Sequence, residues 1–172
     1  MSEPPAERRP TARVLLRDGR GRVFLFRYED ASVVNEPGNA AGTPFFWCTP
    51  GGGVWPGESY RAAARRELRE ETGIEHAAIG RCVWTRTKQA TIDGRPFVVR
   101  ERYFVADVPG EELPISLDNQ EELERGVYRG HRWWQLDEIR ASGEIFFPRG
   151  FADLLAPIAA GRLPARPVKL KE

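Results

Sequence analysis

Nine residues at fixed spacing constrain this chain more than any other feature of its sequence. They are Gly52, Glu58, Arg66, Glu67, Leu68, Glu70, Glu71, Gly73 and Ile74. Most of these positions require one residue type, so a chance match at a given start is on the order of one in 10⁸. An ordinary solvated charged helix does not explain such a pattern.

The middle of this segment is predicted to be one helix over 59–72. Ser59 is a favourable N-cap, the alanine run 62–64 favours helix, and Gly73 stands where a left-handed residue would end it. The preceding residues 49–53 form a glycine-rich loop, whose backbone can approach a ligand or metal closely. A tight strand-to-helix turn is compatible with the same residues.

Three glutamates are expected on one face of the helix. Glu67, Glu70 and Glu71 stand at i, i+3 and i+4, within an arc of about 100°. Their mutual repulsion can be relieved by Arg66, which can pair with Glu70 or reach back to Glu58. A hard divalent cation would relieve it more fully, because Mg²⁺ and Mn²⁺ take oxygen ligands.

This spacing resembles the box of the Nudix hydrolases, a family that cleaves diphosphate linkages attached to another moiety. The resemblance implies an α/β fold, an α/β/α sandwich around a mixed sheet, and Mg²⁺ or Mn²⁺ as cofactor. It implies metal ligands at Glu67, Glu70, Glu71 and the carbonyl of Gly51, and structural roles for Gly52, Glu58 and Gly73. Arg66 is placed with the catalytic glutamates, mostly holding the loop against the helix together with Glu58.

The general base varies within the family and is left open here. The first candidate is Glu67, and the others are Glu121, Glu122 and Glu124 in an acidic loop, with Glu101 on a strand as a further one. A bound cation lowers the pKa of an adjacent carboxylate and makes it a poorer base, which slightly favours the loop. A solvated acidic turn explains the loop glutamates equally well.

Strand signals dominate the chain, with helical segments at its centre and its end, and this order suits a mixed sheet between helices. The runs Val14–Leu16 and Val23–Phe26 flank a turn at 18–21 and predict a hairpin. A second hairpin is expected to turn at Asp93-Gly94, residues 131–136 to form a strand, and residues 148–161 a closing helix. Residues 29–44 form a Gly/Pro/Asn-rich loop, long enough for a lid.

The length of 172 residues and a hydrophobic fraction of 41% suit one domain. Composition predicts flexible tails at 1–11 and 162–172 around a domain at 12–161. No apolar stretch reaches the roughly 18 residues of a membrane span, and we expect a cytoplasmic protein without a signal peptide. Two cysteines, Cys48 and Cys82, are too few for a disulfide framework.

A net charge of +1 with mixed signs gives no electrostatic case for binding a nucleic-acid duplex or a membrane. The expected partner is a small diphosphate compound, in particular a nucleotide, and a homodimer is left open. Candidate substrate-binding residues are Arg27, Phe46, Trp47 and Arg86, although core packing is favoured for the aromatic ones. Trp133 and Trp134 should face opposite sides of a strand.

The substrate is open from sequence alone. Positions 89–91 lack the proline typical of ADP-ribose hydrolases in this family and the tyrosine typical of diadenosine polyphosphate hydrolases. Nucleoside triphosphates, nucleotide sugars and related compounds all remain candidates. Two alternatives are a nucleotide-sensing module that does not hydrolyse its ligand, and a prenyl diphosphate isomerase that would use Cys48.

Overall fold

The computed structural model describes residues 7–30, 44–92, 95–109, 115–116 and 126–171. These residues form eight strands and three helices. The strands are β1 (Glu7–Arg17), β2 (Val23–Glu29), β3 (Phe45–Cys48), β4 (Gly51–Gly53), β5 (Ala78–Ile92), β6 (Arg95–Asp107), β7 (Tyr128–Trp134) and β8 (Val168–Lys169). The helices are α1 (Tyr60–Thr72), α2 (Leu136–Ala141) and α3 (Phe151–Ala159).

All eight strands join one mixed sheet. Its main path runs β3-β2-β1-β6-β5-β8, while β4 pairs with β1 and β7 pairs with β2. The pairs β1–β6 and β5–β8 are parallel, and the others are antiparallel. Residues 11–13 of β1 pair with Gly51–Gly53, so the last three residues of the predicted glycine-rich loop form strand β4. We keep the name glycine loop for residues 49–53.

Alternating side chains of β1 divide the core into two clusters. Val14 and Leu16 pack on the side of α1, whereas Leu15 packs on the side of α2 and α3. The first cluster includes Ala63, Ala64 and Leu68 of α1, and the second includes Phe151, Leu155 and Ile158 of α3. Both faces of the sheet are therefore covered, which confirms the expected α/β/α sandwich.

The expected opening hairpin is confirmed, and its first strand is longer than expected. Asp18 closes the turn by accepting the backbone amides of Arg20 and Arg22 at 3.0 and 2.9 Å. Strand β1 starts at Glu7 because parallel pairing with β6 provides partners for its backbone, so the boundary drawn from composition at residue 12 falls inside the strand. Likewise, β8 lies within the segment assigned to the C-terminal tail.

Helix α1 begins and ends as its sequence predicts. The Ser59 hydroxyl accepts the amide of Ala62 at 3.2 Å, and Gly73 has φ 74° while its amide donates to Arg69 O. The second hairpin forms from β5 and β6. Its expected turn at Asp93-Gly94 lies outside the described residues, and so do residues 31–43 of the suspected lid. Within the described residues, no helix is long and apolar enough to cross a membrane.

Candidate active site

Two glycines let the loop lie directly between β1 and α1. A Cβ on Gly51, which has φ 136°, would lie 2.0 Å from the carbonyl oxygen of Ala12. A Cβ on Gly52 would lie 2.7 Å from the carboxylate of Glu67. Only glycine fits at position 51, and a side chain at position 52 would require the Glu67 carboxylate to move, so the loop backbone reaches the acidic face of the helix.

Glu71 fastens the loop to the helix from inside the protein. Its side chain is buried, and Oε2 accepts the backbone amide of Gly51 at 2.6 Å. A charged acceptor makes this a strong hydrogen bond. It fixes the peptide group next to the Gly51 carbonyl, which the family resemblance assigns to the metal.

Arg66 gathers the remaining acidic residues of the box. Its guanidinium donates to both Glu58 oxygens at 3.0 and 2.9 Å, to Glu67 at 2.7 Å and to Glu70 at 3.0 Å. It also donates to the carbonyl of Gly53 at 2.7 Å. The expected Arg66–Glu70 and Arg66–Glu58 contacts therefore form together.

The pKa values of two carboxylates bound by Arg66 are shifted in opposite directions. The hydrogen bond from Arg66 lowers the pKa of Glu58 below its ordinary value. Burial raises the pKa of Glu67, and the hydrogen bond from Arg66 only partly opposes it. Glu67 therefore holds a proton more readily than Glu58.

A second group of charges, of which Glu101 and Arg86 are buried, supports the glycine loop from the sheet. Arg13 of β1 donates to the carbonyl of Gly51 at 3.0 Å and contacts Glu101 at 3.4 Å. Glu101 also accepts from Arg86 at 2.6 Å and from the hydroxyl of Tyr103 at 2.9 Å. Burial would raise the pKa of Glu101, but the charges of Arg13 and Arg86 outweigh it and hold the pKa at about 2. Glu101 is therefore a weak base at neutral pH.

Carboxylate and carbonyl oxygens are the ligand type that a hard divalent cation prefers, although in this structure the carboxylates are hydrogen-bonded to Arg66. Glu58, Glu67 and Glu70 share the guanidinium of Arg66, three negative charges against one positive. Within the described residues, no three His, Cys, Asp or Glu side chains converge as a ready-made metal site. To bind a cation, the helix carboxylates must exchange some of their arginine contacts for it.

Of the four proposed substrate contacts, Arg27 and Trp47 lie together, with the Arg27 guanidinium 5.9 Å from the centre of the Trp47 ring. Trp47 is buried against Trp134 in the core cluster that also contains α2 and α3 side chains, and Arg86 is hydrogen-bonded to Glu101. Arg27 lies over the Phe45 ring, 4.3 Å from its centre, and pairs with Glu144 at 3.2 Å. Phe46 packs beside Tyr28 and Phe147. As expected, Trp133 and Trp134 belong to opposite sides of the sheet.

Sequence reasoning did not identify Arg13, because it is one of four arginines in β1 and no local pattern distinguishes it from the others. The candidate bases Glu121, Glu122 and Glu124 lie outside the described residues.

Cys48 is half-buried, and burial raises the pKa of its thiol to about 11. Its thiol is therefore protonated at neutral pH, which does not favour a reactive cysteine.

A family model described as NUDIX domain matches residues 7–154. The RNA pyrophosphohydrolase of Caulobacter vibrioides (strain NA1000 / CB15N) is 32% identical over 146 residues, covering 77% of this chain and 74% of the relative. The RNA pyrophosphohydrolase of Sphingopyxis alaskensis is 30% identical over 142 residues, covering 76% and 80%.

Among solved structures, the MutT protein from Methanosarcina mazei Go1 has a TM-score of 0.61 at 22% identity, covering 92% of this chain and 98% of that one. The E. coli dihydroneopterin triphosphate pyrophosphohydrolase has a TM-score of 0.60 at 16% identity, covering 88% and 95%. At these identities the two structures bear on the fold alone. The family match shows that the chain belongs to the Nudix family and is a hydrolase of diphosphate bonds.

Proposed function

We propose that the chain hydrolyses a diphosphate bond in a nucleoside 5′-polyphosphate, using Mg²⁺ or Mn²⁺ as its cofactor. The observation that carries this proposal is the contact of the glycine loop with the acidic face of α1, where Glu67 lies against Gly52 and Glu71 binds Gly51. Because the RNA pyrophosphohydrolases of Caulobacter vibrioides and Sphingopyxis alaskensis match over 74% and 80% of their length, the triphosphorylated 5′ end of RNA is the first substrate class proposed.

The cation would be held by Glu67, Glu70, Glu71 and the carbonyl of Gly51. When bound, it would neutralise phosphate oxygens and lower the pKa of the attacking water. The donors are all oxygen atoms, which suits Mg²⁺ and Mn²⁺ rather than a softer metal. This donor set combines three carboxylates of one helix face with a backbone oxygen of the neighbouring loop.

The protein itself positions these groups. Arg66 keeps the loop near the helix by binding the carbonyl of Gly53 and the carboxylates of Glu58 and Glu67. Arg13 supports the Gly51 carbonyl from the sheet side. A fixed arrangement lowers the reorganisation required when charge develops on the phosphoryl oxygens.

A carboxylate must accept the proton of the attacking water. Glu67 is one candidate, because its carboxylate lies at the loop and is oriented by Arg66 at 2.7 Å. The other candidates remain Glu121, Glu122 and Glu124. We assign Glu101 a structural role, because its buried carboxylate accepts hydrogen bonds from Arg13, Arg86 and Tyr103.

The test is incubation of the purified full chain with Mg²⁺ or Mn²⁺ and a panel of substrates. The panel contains 5′-triphosphorylated RNA, nucleoside triphosphates, dinucleoside polyphosphates and nucleotide sugars. We expect metal-dependent release of pyrophosphate or phosphate, and no release in excess chelator. A ligand that shifts the melting temperature yet stays intact would instead indicate a nucleotide-sensing module.

A further inference from the structure

A groove with a volume of about 670 Å³ lies next to the box, between the start of β1 and the N-terminal end of α1. Gly53 and Glu58 of the box line one side of it. The other main contributors are Arg8, Arg9, Pro10, Trp55, Tyr60 and Phe97. This volume is in the range of about 300–1,000 Å³ that is typical of ligand pockets.

Trp55 presents its indole ring to this groove. It is 58% exposed, more than any other large hydrophobic side chain among the described residues. The guanidinium of Arg66 lies 3.8 Å from the ring centre, and the Trp55 amide donates to Glu58 at 3.0 Å. The ring is thus held in place yet leaves apolar surface in water, as expected of a platform on which a base stacks.

The groove also offers positive charge for phosphate groups. Arg8 and Arg9 are exposed at the start of β1. Two acidic residues, Glu7 and Glu58, line the groove, and both carboxylate oxygens of Glu58 accept hydrogen bonds from Arg66. An aromatic ring beside exposed arginines matches the way proteins bind single-stranded nucleic acid.

One side chain connects the groove to the active site. Arg66 stacks on Trp55, and the same guanidinium binds Glu67 at 2.7 Å. A nucleotide on Trp55 would therefore lie next to the diphosphate positioned by the box. The chain that follows a 5′ end has the required chemistry, a base and a phosphate in each unit.

We propose that this groove binds the single-stranded RNA segment that follows the 5′ polyphosphate, with a base on Trp55 and phosphates at Arg8 and Arg9. The substrate class rests on the function proposed above. Binding of RNA in the groove does not depend on hydrolysis, so it is tested with RNA that carries no diphosphate bond.

The probe is a fluorescein-labelled single-stranded oligoribonucleotide with a 5′-hydroxyl group, titrated with the full chain and read by fluorescence anisotropy. We expect Trp55→Ala to weaken binding on the order of 5- to 150-fold, and Trp55→Phe to retain most of the affinity. Arg8→Gln and Arg9→Gln should each reduce the slope of log K against log salt by about 0.7. Arg162→Gln removes an exposed arginine outside the groove and is the matched control.

Equal binding by wild type and Trp55→Ala would overturn the proposal, provided that circular dichroism shows a folded variant. So would equal losses in Arg162→Gln and Arg8→Gln, which would indicate non-specific attraction. Competition by a mononucleotide as strong as that by the oligoribonucleotide would also overturn it, since the site would then hold one free nucleotide. Specific binding without hydrolysis of triphosphorylated RNA would refute the proposed substrate alone.

Discussion

The guanidinium of Arg13 on β1 lies 3.4 Å from the carboxylate of Glu101 on the adjacent strand β6. Through Arg13 this pair reaches the carbonyl of Gly51, and through Arg86 it reaches β5. Glu101 is 2% exposed, whereas the Arg13 side chain is 25% exposed, so the carboxylate end of the pair lies in the interior. The backbone that is proposed to face the cation is therefore supported by charges spread over three strands.

Removal of the Glu101 charge should destabilise the fold. Glu101→Gln leaves Arg13 and Arg86 without a buried counter-charge, so we expect a loss of about 3–5 kcal/mol in the free energy of unfolding, measured with urea at pH 7. Asp107→Asn is the matched control, because it removes the exposed pair with Arg17 and should cost at most about 1 kcal/mol. Similar small losses in both variants would show that the buried pair contributes little.

The same carboxylate predicts a pH dependence of stability. The pKa of Glu101 is lowered from 4.5 to about 2, so its contribution is fully present above pH 4.5 and is lost as the pH falls toward 2. Across this window, wild type should lose up to about 1.4 kcal/mol per pH unit more than Glu101→Gln does. Parallel stability curves for the two proteins would contradict the lowered pKa.

Local signals explain why much of the fold could be predicted from sequence. The caps of α1 depend on Ser59 and Gly73, and the first hairpin depends on a turn closed by Asp18. Each involves residues a few positions apart, whose preferences act without the rest of the fold. The box fixes the acidic face of α1 in the same local way.

Contacts between distant strands explain what sequence did not reveal. Arg13 and Glu101 are 88 residues apart and meet only because β1 and β6 pair in parallel. Trp55 occupies a variable position of the box, and its exposure and stacking on Arg66 follow from the folded loop. Neither relationship has a pattern in the local sequence.

Two neighbouring glycines allow a test of the fit between loop and helix. In Gly52→Ala the new Cβ would lie 2.7 Å from the Glu67 carboxylate, which must move. We expect kcat to fall about 10-fold or more, because small displacements at a reacting site are costly. Gly53→Ala is the control, since its Cβ would meet nothing within 4 Å. Equal kcat values in the two variants would argue against a role for Glu67 in its present position.

Glu71 should be needed for turnover and not for folding. In Glu71→Gln the amide oxygen can still accept from the Gly51 amide, while one negative charge is lost from the proposed cation site. We expect kcat to fall by roughly 10² or more, with a nearly unchanged melting temperature in the absence of metal. Glu75→Gln, at an exposed position after the helix, serves as the control. Unchanged kcat in Glu71→Gln would refute the proposed cation site.

The general base can be identified by comparing Glu67 with the three glutamates of the predicted acidic loop. If the loop supplies the base, one of Glu121→Gln, Glu122→Gln and Glu124→Gln should lower kcat by about 10²–10⁴ with Mg²⁺ affinity nearly intact. Glu67→Gln should then weaken Mg²⁺ binding as well as turnover, because Glu67 is a proposed ligand. Steady-state kinetics and a Mg²⁺ titration of each variant separate these effects. Full kcat in all three loop variants, with a large loss in Glu67→Gln, would assign the base to Glu67.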